Sequence, residues 1–525
     1  MYEELPEGVA FPKDEQELQR VVEHARLRGL PITMRAAGTS LAGQTTGGGL
    51  VVDLSRHMDA VLELDPEGRT ARVQPGVIRD SLNRAGAEHG LKFGPDTSTT
   101  NRCMIGGMVG NNSSGLFSIR YGTTREHVLR LRAILHDGSV AEFGPLSPEE
   151  LQAKCALQTT EGEIYRKMLV LLREHKEMIQ EHWPRPEVRR RNTGYALDRL
   201  CEMDPVTPDG RPFNLAELLC GSEGTLALVT EATVRLVPVE PESVLLVSQF
   251  DALEQAMHAT VELVKHDPSA VELIDDVVIG ATEGNLEQRR NRFFLKGSPV
   301  AVLFTQFDGA DRERVLESAR RASDALKSAG LGYAHEVFEE EDKKTRIWDL
   351  RKAGLGLLMG LGKDAKTPTF AEDTAVRVDD LPAYIADFRE LLARHGTKSV
   401  FYAHASVGEL HLRPMLDLGR PDDIRRMQEM AADVARLVRS YRGSLSGEHG
   451  DGRARSPFIP IVLGERGAEL LGWVKEIWDP AGRFNPGKIV NPAPMAQGLR
   501  AQVPDAPIPT AYHWRREGGF ANALG

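Results

Sequence analysis

The sequence predicts an α+β protein of two or three domains, and three observations carry that expectation. At 525 residues the chain is too long for one hydrophobic core. Short apolar runs are mixed with stretches of helical spacing, a mixture that suggests a mostly antiparallel sheet in the middle of the chain. Near the N-terminus an apolar strand, Ile32–Met34, runs through a glycine-rich loop into a second apolar strand, Leu50–Leu54. In that loop Gly38, Gly43, Gly47, Gly48 and Gly49 are expected to supply positive φ and close approach to a ligand. A row of free N–H groups would suit a phosphate, and a glycine-rich hairpin with no ligand is the alternative.

Composition narrows the function classes. Hydrophobic residues make up 41% and charged residues 27%, ordinary for a soluble globular enzyme. A net charge of −11 argues against nucleic acid as a partner. No stretch reaches the roughly 20 apolar residues of a transmembrane segment, and the acidic N-terminus has no apolar core, so no secretory leader is expected. Cys103, Cys155, Cys201 and Cys220 lie far apart with no metal-knuckle or cluster spacing, which suits a reducing cytoplasm.

Asp14 reads as the cap of a helix that Gly29 closes. Ala60–Leu64 and Ala71–Val77 read as a hairpin, and Ile78–His89 as a helix. A second glycine-rich run, Ile105–Gly115, follows the loop Lys92–Asn101. Val128–Leu135 and Ser139–Phe143 form a hairpin around His136–Gly138, and Ser147 caps a pattern that stays helical to about Glu181. Arg189, Arg190 and Arg191 read as a solvated face. Leu226–Val237 alternates like a strand. These features give a first unit over residues 1–240, an α+β unit with an antiparallel sheet over 241–440, a return segment over 441–492 and a polar tail over 493–525. In the second unit Ser399–Arg413 reads as a hairpin turning at Ala405–Gly408.

The dinucleotide fingerprint GxGxxG is absent after an opening strand, and Gly362-Lys363 is no phosphate-binding P-loop. Five spaced motifs nevertheless stand in order: Arg35–Ser40 with Gly47–Gly49, Ile105–Gly107 with Asn111–Gly115, Tyr121–Thr123, Gly221–Thr225 and Phe484–Lys488. Together they resemble the FAD-linked oxidase family of the vanillyl-alcohol oxidase (PCMH) type over roughly residues 10–492. Within it they are similar to the D-2-hydroxyacid dehydrogenases, including D-lactate, glycolate and D-2-hydroxyglutarate dehydrogenases. Asn192–Leu197 shares that likeness. The implied fold is a two-subdomain FAD-binding domain with an α+β cap.

The resemblance implies that Ala36, Ala37, Gly38, Thr39, Ser40 and Leu41 wrap the FAD pyrophosphate. Pro95, Asp96, Thr99, Gly106, Gly107, Asn111, Ser113 and Ser114 would line the rest. Glu223, Gly224 and Val229 would sit by the adenine or ribose, and Asn485 and Lys488 would close the site. Thr39 stands where relatives sometimes carry a flavin-bonding histidine, and the loop has no His or Cys, so the FAD is expected to be non-covalent. Cys103 reads as a small packed residue.

Taken bare, His404 and His411 on the two strands of a hairpin are ordinary hydrogen-bonded histidines. The resemblance makes them, with Glu448, a divalent-metal set, zinc first and manganese or iron left open. His449, next to Glu448, is then the candidate base. Arg351 is either a helical surface arginine or a carboxylate grip. Arg413, on the strand face of His411, would suit a second substrate carboxylate. The His411–Pro414 form and Trp514–Phe520 resemble long fusions in which an iron–sulfur part follows the flavin part. The expectation is therefore a D-2-hydroxyacid substrate, D-2-hydroxyglutarate before D-lactate, with an iron–sulfur protein or quinone as the separate electron acceptor. The location would be cytoplasmic or at the inner membrane face, and the assembly a homodimer or otherwise. The rivals are another FAD-linked alcohol oxidase, a non-redox alkyl-glycerone-phosphate synthase relative, and a flavin-carrying subunit with a silent site.

Overall fold

The computed structural model describes residues 1–358 and 367–500; Gly362-Lys363 and Trp514–Phe520 lie outside them. Three strands, Gly8–Ala10, Leu50–Asp53 and Ile32–Arg35, pair in parallel in that order. The glycine-rich segment is therefore a crossover and no hairpin. It returns the chain to start Leu50 beside Ile32. The helix Glu15–Arg28 packs Leu18, Val22 and Ala25 onto this sheet's core together with Ile32, Val52 and Phe484. Asp14 accepts the Glu17 N–H at 2.8 Å, and Gly29 ends the helix at φ 65°. The C-terminal return adds itself to the same edge: Ile32 N–H donates to Arg483 O, and Asn485 N–H donates to Ile32 O, both at 2.7 Å.

A five-stranded antiparallel sheet follows, in the order Val61–Asp65, Thr70–Val73, Leu228–Arg235, Val128–Ile134, Val140–Phe143. Both sequence-predicted hairpins are in it. The single long helical pattern resolves into Pro148–Ala156 and Thr160–His182, each with its own cap, Ser147 and Thr159. Ile105–Asn111 in the second glycine-rich run is a short helix and not a loop. Of its glycines, Gly106 serves packing, because a Cβ there would lie 2.5 Å from the Pro75 side chain, whereas Gly107 and Gly110 have room for one.

The largest sheet has seven strands, in the order Ala334–Phe338, Glu242–Phe250, Ala301–Gly309, Ala270–Asp275, Ser399–His404, Glu409–Pro414, Thr374–Ala375. Every pairing in it is antiparallel, as expected. The two-residue period of a strand sorts its side chains onto two faces. Leu246, Leu273, Leu303, Phe401 and Ala403 face the main core, with helices Leu253–Leu263, Arg312–Ser328 and Leu381–Arg394. Leu245, Ile274, Val302, Phe304, Val400 and Tyr402 face a smaller core with helix Glu341–Leu358. His404 continues the second face. Among the described residues no helix is long and apolar enough to cross a membrane.

The glycines of the first loop divide by purpose. Gly38 and Gly43 have positive φ, 68° and 94°. Gly47, Gly48 and Gly49 do not, against expectation, and what decides two of them is space. A Cβ on Gly49 would lie 2.3 Å from Pro31 O, and one on Gly47 would lie 2.1 Å from Thr33 Oγ1, whereas one on Gly48 meets only the far end of the Glu4 side chain. Gly49→Ala is therefore expected to destabilise by about 1–3 kcal/mol through overpacking, and Gly48→Ala by much less. Denaturant unfolding of the two variants side by side measures the difference.

Candidate active site

Between the parallel sheet, the short helix Ile105–Asn111 and the turn Gly221–Thr225 lies a cleft of about 940 Å³. Of the residues expected at a flavin, Ala36, Ala37, Gly38, Thr39 and Ser40 line it, as do Thr99, Gly106, Gly107, Asn111 and Ser113. Glu223, Gly224 and Val229 form the far wall. Among the described residues no backbone N–H from Ala37 to Ser40 has a protein acceptor, so a row of donors without a protein partner borders the cleft. Asn111 Nδ2 donates to Ser40 Oγ at 2.8 Å and ties the two glycine-rich segments together.

Six expected residues stand elsewhere. Pro95 O accepts from Arg79 Nε at 2.6 Å, and the Asp96 carboxylate pairs with Arg79 Nη1 at 2.8 Å. Both groups are already engaged, so they shape the loop from behind. Leu41 O accepts from Thr369 Oγ1. Asn485 Nδ2 donates to Gln44 O and Glu223 O, and Lys488 Nζ donates to Thr46 O, so both close the wall without lining the cleft. Ser114 belongs to the second site, described next. Glu223 lines the cleft, but its carboxylate accepts the N–H groups of Asp451 and Gly452; burial, then Asp451, pushes its pKa up to about 8. Thr97, inside the expected stretch 95–99, and Arg35, the first residue of its motif, line the cleft as well; Gln44 also lines it, and the sequence did not point to it. Cys103 also lines it, and burial first of all pushes its thiol pKa up.

Next to the cleft, strands Ser399–His404 and Glu409–Pro414 bring the histidines together. Register pairs Tyr402 with His411, and His404 with Glu409, so all of these share one sheet face. The His404 and His411 rings meet edge to face at 5.0 Å, and the His411 and His449 rings stack at 5.0 Å. Glu448 reaches in from the loop before the helical turn Gly452–Arg455. Its Oε1 lies 3.3 Å from His404 Nε2, 3.9 Å from His411 Nε2 and 3.6 Å from His449 Nε2. One ligand atom from each of His404, His411 and Glu448 falls within 4.8 Å of the others.

This donor set fits a divalent cation. His404 Nδ1 is held by Glu272 Oε1 at 2.8 Å, which turns Nε2 toward Glu448. Glu448 Oε2 accepts from Ser114 N at 3.1 Å and Ser114 Oγ at 3.0 Å and pairs with Arg190 Nη1 at 3.0 Å, leaving Oε1 facing the imidazoles. Burial opposes the charge on Glu448, yet Arg190 and then His404 hold its pKa well below the usual carboxylate range. Burial first, then His404 and His449, lowers the pKa of His411 well below the ordinary imidazole range.

A layer of charges behind these groups was not visible in the sequence. Asp373, at φ 79°, accepts the N–H groups of Glu448 and His449, both at 2.9 Å, and so sets the direction of both side chains. Glu372 lies 3.3 Å from His449 Nδ1. Burial disfavours a charged His449, but Asp373 and Glu372 outweigh it and raise its pKa to about 9. The two arginines expected at substrate carboxylates are engaged inside the protein. Arg351 donates to Glu272 Oε2 at 2.8 Å, and Arg413 pairs with Glu372. They flank the Tyr402 ring at 5.4 and 5.6 Å. The solvated face expected of Arg190 is overturned: it is 1% exposed and paired with Glu409 as well as Glu448.

The cleft and the histidine site share chain segments. Ser113 lines the cleft while Ser114 holds Glu448. Gln44 lines the cleft and donates to His449 O.

Comparison with known proteins agrees with this architecture. Residues 6–144 match the FAD binding domain family, and residues 240–489 match the C-terminal domain of FAD linked oxidases. The D-2-hydroxyglutarate dehydrogenase of Pseudomonas putida is 34% identical over 510 residues, which cover 95% of this chain and 50% of that protein. The chain thus spans about half the length of the first curated relatives it matches. Glycolate oxidase subunit GlcD of Bacillus subtilis is 26% identical over 93% of this chain and 90% of its own. The crystal structure of p-cresol methylhydroxylase superimposes with a TM-score of 0.64 at 13% identity, covering 92% of this chain and 88% of that one, a likeness of fold. With an FAD-binding domain of that type before the histidine-bearing sheet and the oxidase C-terminal domain upon it, the chain belongs to the FAD-linked oxidases.

Proposed function

We propose that this chain is an FAD-dependent dehydrogenase that oxidises a D-2-hydroxyacid to the 2-oxoacid, D-2-hydroxyglutarate first and D-lactate second. One observation carries the proposal: the FAD-type cleft adjoins the His404–His411–Glu448 cluster, the two being tied by Ser113–Ser114 and by the Gln44–His449 hydrogen bond. When bound, non-covalent FAD supplies a hydride acceptor, and a divalent metal, zinc first, supplies a Lewis acid for the substrate hydroxyl. His404 Nε2, His411 and Glu448 Oε1 would hold the metal. Glu272 and Ser114 fix the directions of His404 and Glu448 before any ligand arrives. His449 is partly exposed, stacked on His411 and has Glu372 3.3 Å from its Nδ1, and with a cation bound beside it its Nε2 would take the hydroxyl proton.

The relatives' names support D-2-hydroxyglutarate. The internal carboxylate partner of each of Arg351 and Arg413 favours D-lactate as the second reading. Electrons would leave the flavin for a separate acceptor, an iron–sulfur protein or a quinone. The four cysteines are unpaired, in keeping with a reducing cytoplasm.

Anaerobic D-2-hydroxyglutarate is expected to bleach the long-wavelength flavin band, and D-lactate to do so more slowly. A flavin that stays oxidised with every D-2-hydroxyacid, while FAD and metal are bound, sinks the proposal. His449→Ala is expected to slow reduction by roughly 10²–10⁴-fold with FAD still bound, the usual contribution of a positioned base; stopped-flow reduction beside flavin content separates this from a structural role. Chelation of the metal should abolish reduction and leave the flavin spectrum in place, and added zinc should restore reduction.

A further inference from the structure

We propose that Arg190 is a positioning residue that fixes Glu448 as a metal ligand and ties it to the flavin side of the molecule. This rests on the metal reading given above. The motif Asn192–Leu197 shows where the device begins. The segment 192–194 runs along the loop that carries Glu448: Asn192 N–H donates to Ser446 O at 2.8 Å, and Thr193 Oγ1 accepts the Leu445 N–H at 2.8 Å. Gly194 N–H donates to Asp451 Oδ2 at 2.6 Å. Ser444 to Asp451 is thereby stitched on both sides of Glu448.

Arg190, two residues before this seam, reaches the functional group itself. Its planar guanidinium presents donors in fixed directions. Nη1 faces Glu448 Oε2 at 3.0 Å and also pairs with Glu409, which opens the strand of His411. Nε donates to Ser118 Oγ at 3.0 Å, and Nη2 donates to Gly115 O. Gly115 and Ser118 closely follow Ser113 and Ser114, the residues that join the cleft to Glu448. One buried side chain therefore fixes Glu448 Oε2, the strand of His411 and the segment next to the flavin cleft. With Oε2 held by a cation and two donors from Ser114, the carboxylate cannot rotate, and Oε1 is the oxygen left for a metal. Partners of this kind behind a ligand typically change metal affinity by about 10–100-fold.

Arg190→Met alone would leave Glu409 buried and unpaired, so the test uses Arg190→Met/Glu409→Gln, which removes both charges together. Zinc affinity is measured by competition with a chromophoric chelator on the FAD-loaded full chain, with flavin content and thermal midpoint recorded beside it. The double variant is expected to bind zinc about 10–100-fold more weakly while keeping its flavin and folding. Unchanged zinc affinity overturns the proposal, as does loss of flavin together with zinc, which would make Arg190 a general support of the fold. Failure of the unaltered chain to bind zinc would overturn the metal reading itself, and the role of Arg190 with it; that result is seen in the unsubstituted protein and so is told apart from the other two.

Discussion

The orientation of one carboxylate governs how this site is built. Glu448 is buried, and its two oxygens are differentiated by their surroundings: Oε2 faces Ser114 and Arg190, and Oε1 faces three imidazoles. That asymmetry requires segments far apart in the chain to meet. Ser114 precedes Glu448 by 334 residues, and Asp373, which accepts the Glu448 N–H, reaches it from beside the edge strand Thr374–Ala375 of the seven-stranded sheet. The FAD-type cleft and the histidine cluster are consequently one structure. Neither wall can shift without moving the hydrogen bonds that orient Glu448.

What the sequence showed and what it hid differ by the range of the interactions. The hairpin that carries His404 and His411 is a local object, readable from alternation and a turn, and its register places both rings on one face. The glycine-rich segments were equally visible as rows of small residues, and both border one cleft, whereas the close packing that decides Gly47, Gly49 and Gly106 was not visible. Long-range pairing was not readable. Nothing local distinguishes a parallel crossover between Arg35 and Leu50 from a hairpin; the parallel pairing of Ile32 with Leu50 depends on Gly8–Ala10 and the return segment at Phe484 flanking them. Arg190 looked like a surface charge because it sits between two other arginines. Its burial follows from Glu409 and Glu448, more than 200 residues away. Glu272 carries no local sign of its bond to His404, which spans 132 residues. The expected roles of Arg351 and Arg413 were drawn from charge type and, for Arg413, from its strand face beside His411, and the structure supplies each with an internal carboxylate partner.

The buried charges around the site argue for a ligand more than for stability. Replacing buried ion pairs by well-packed apolar groups is often neutral or stabilising, so a protein that keeps many of them gains little by it in folding. Here Glu272, Glu372, Asp373, Glu409 and Glu448 face Arg190, Arg351, Arg413 and Arg455, five carboxylates against four guanidinium groups. The remaining negative charge is met by His449, whose pKa Asp373 and Glu372 raise to about 9 despite its burial. A cation held by His404, His411 and Glu448 would satisfy the same field from the other side of Glu448. Like charges at that distance disfavour one another, so such a cation would weaken the hold of His449 on its proton. The ring would then be neutral and stacked beside the substrate hydroxyl, able to accept a proton where before it could only donate one. On the proposed function, the charge count of the second layer, and not the identity of the histidine alone, would suit His449 to that exchange.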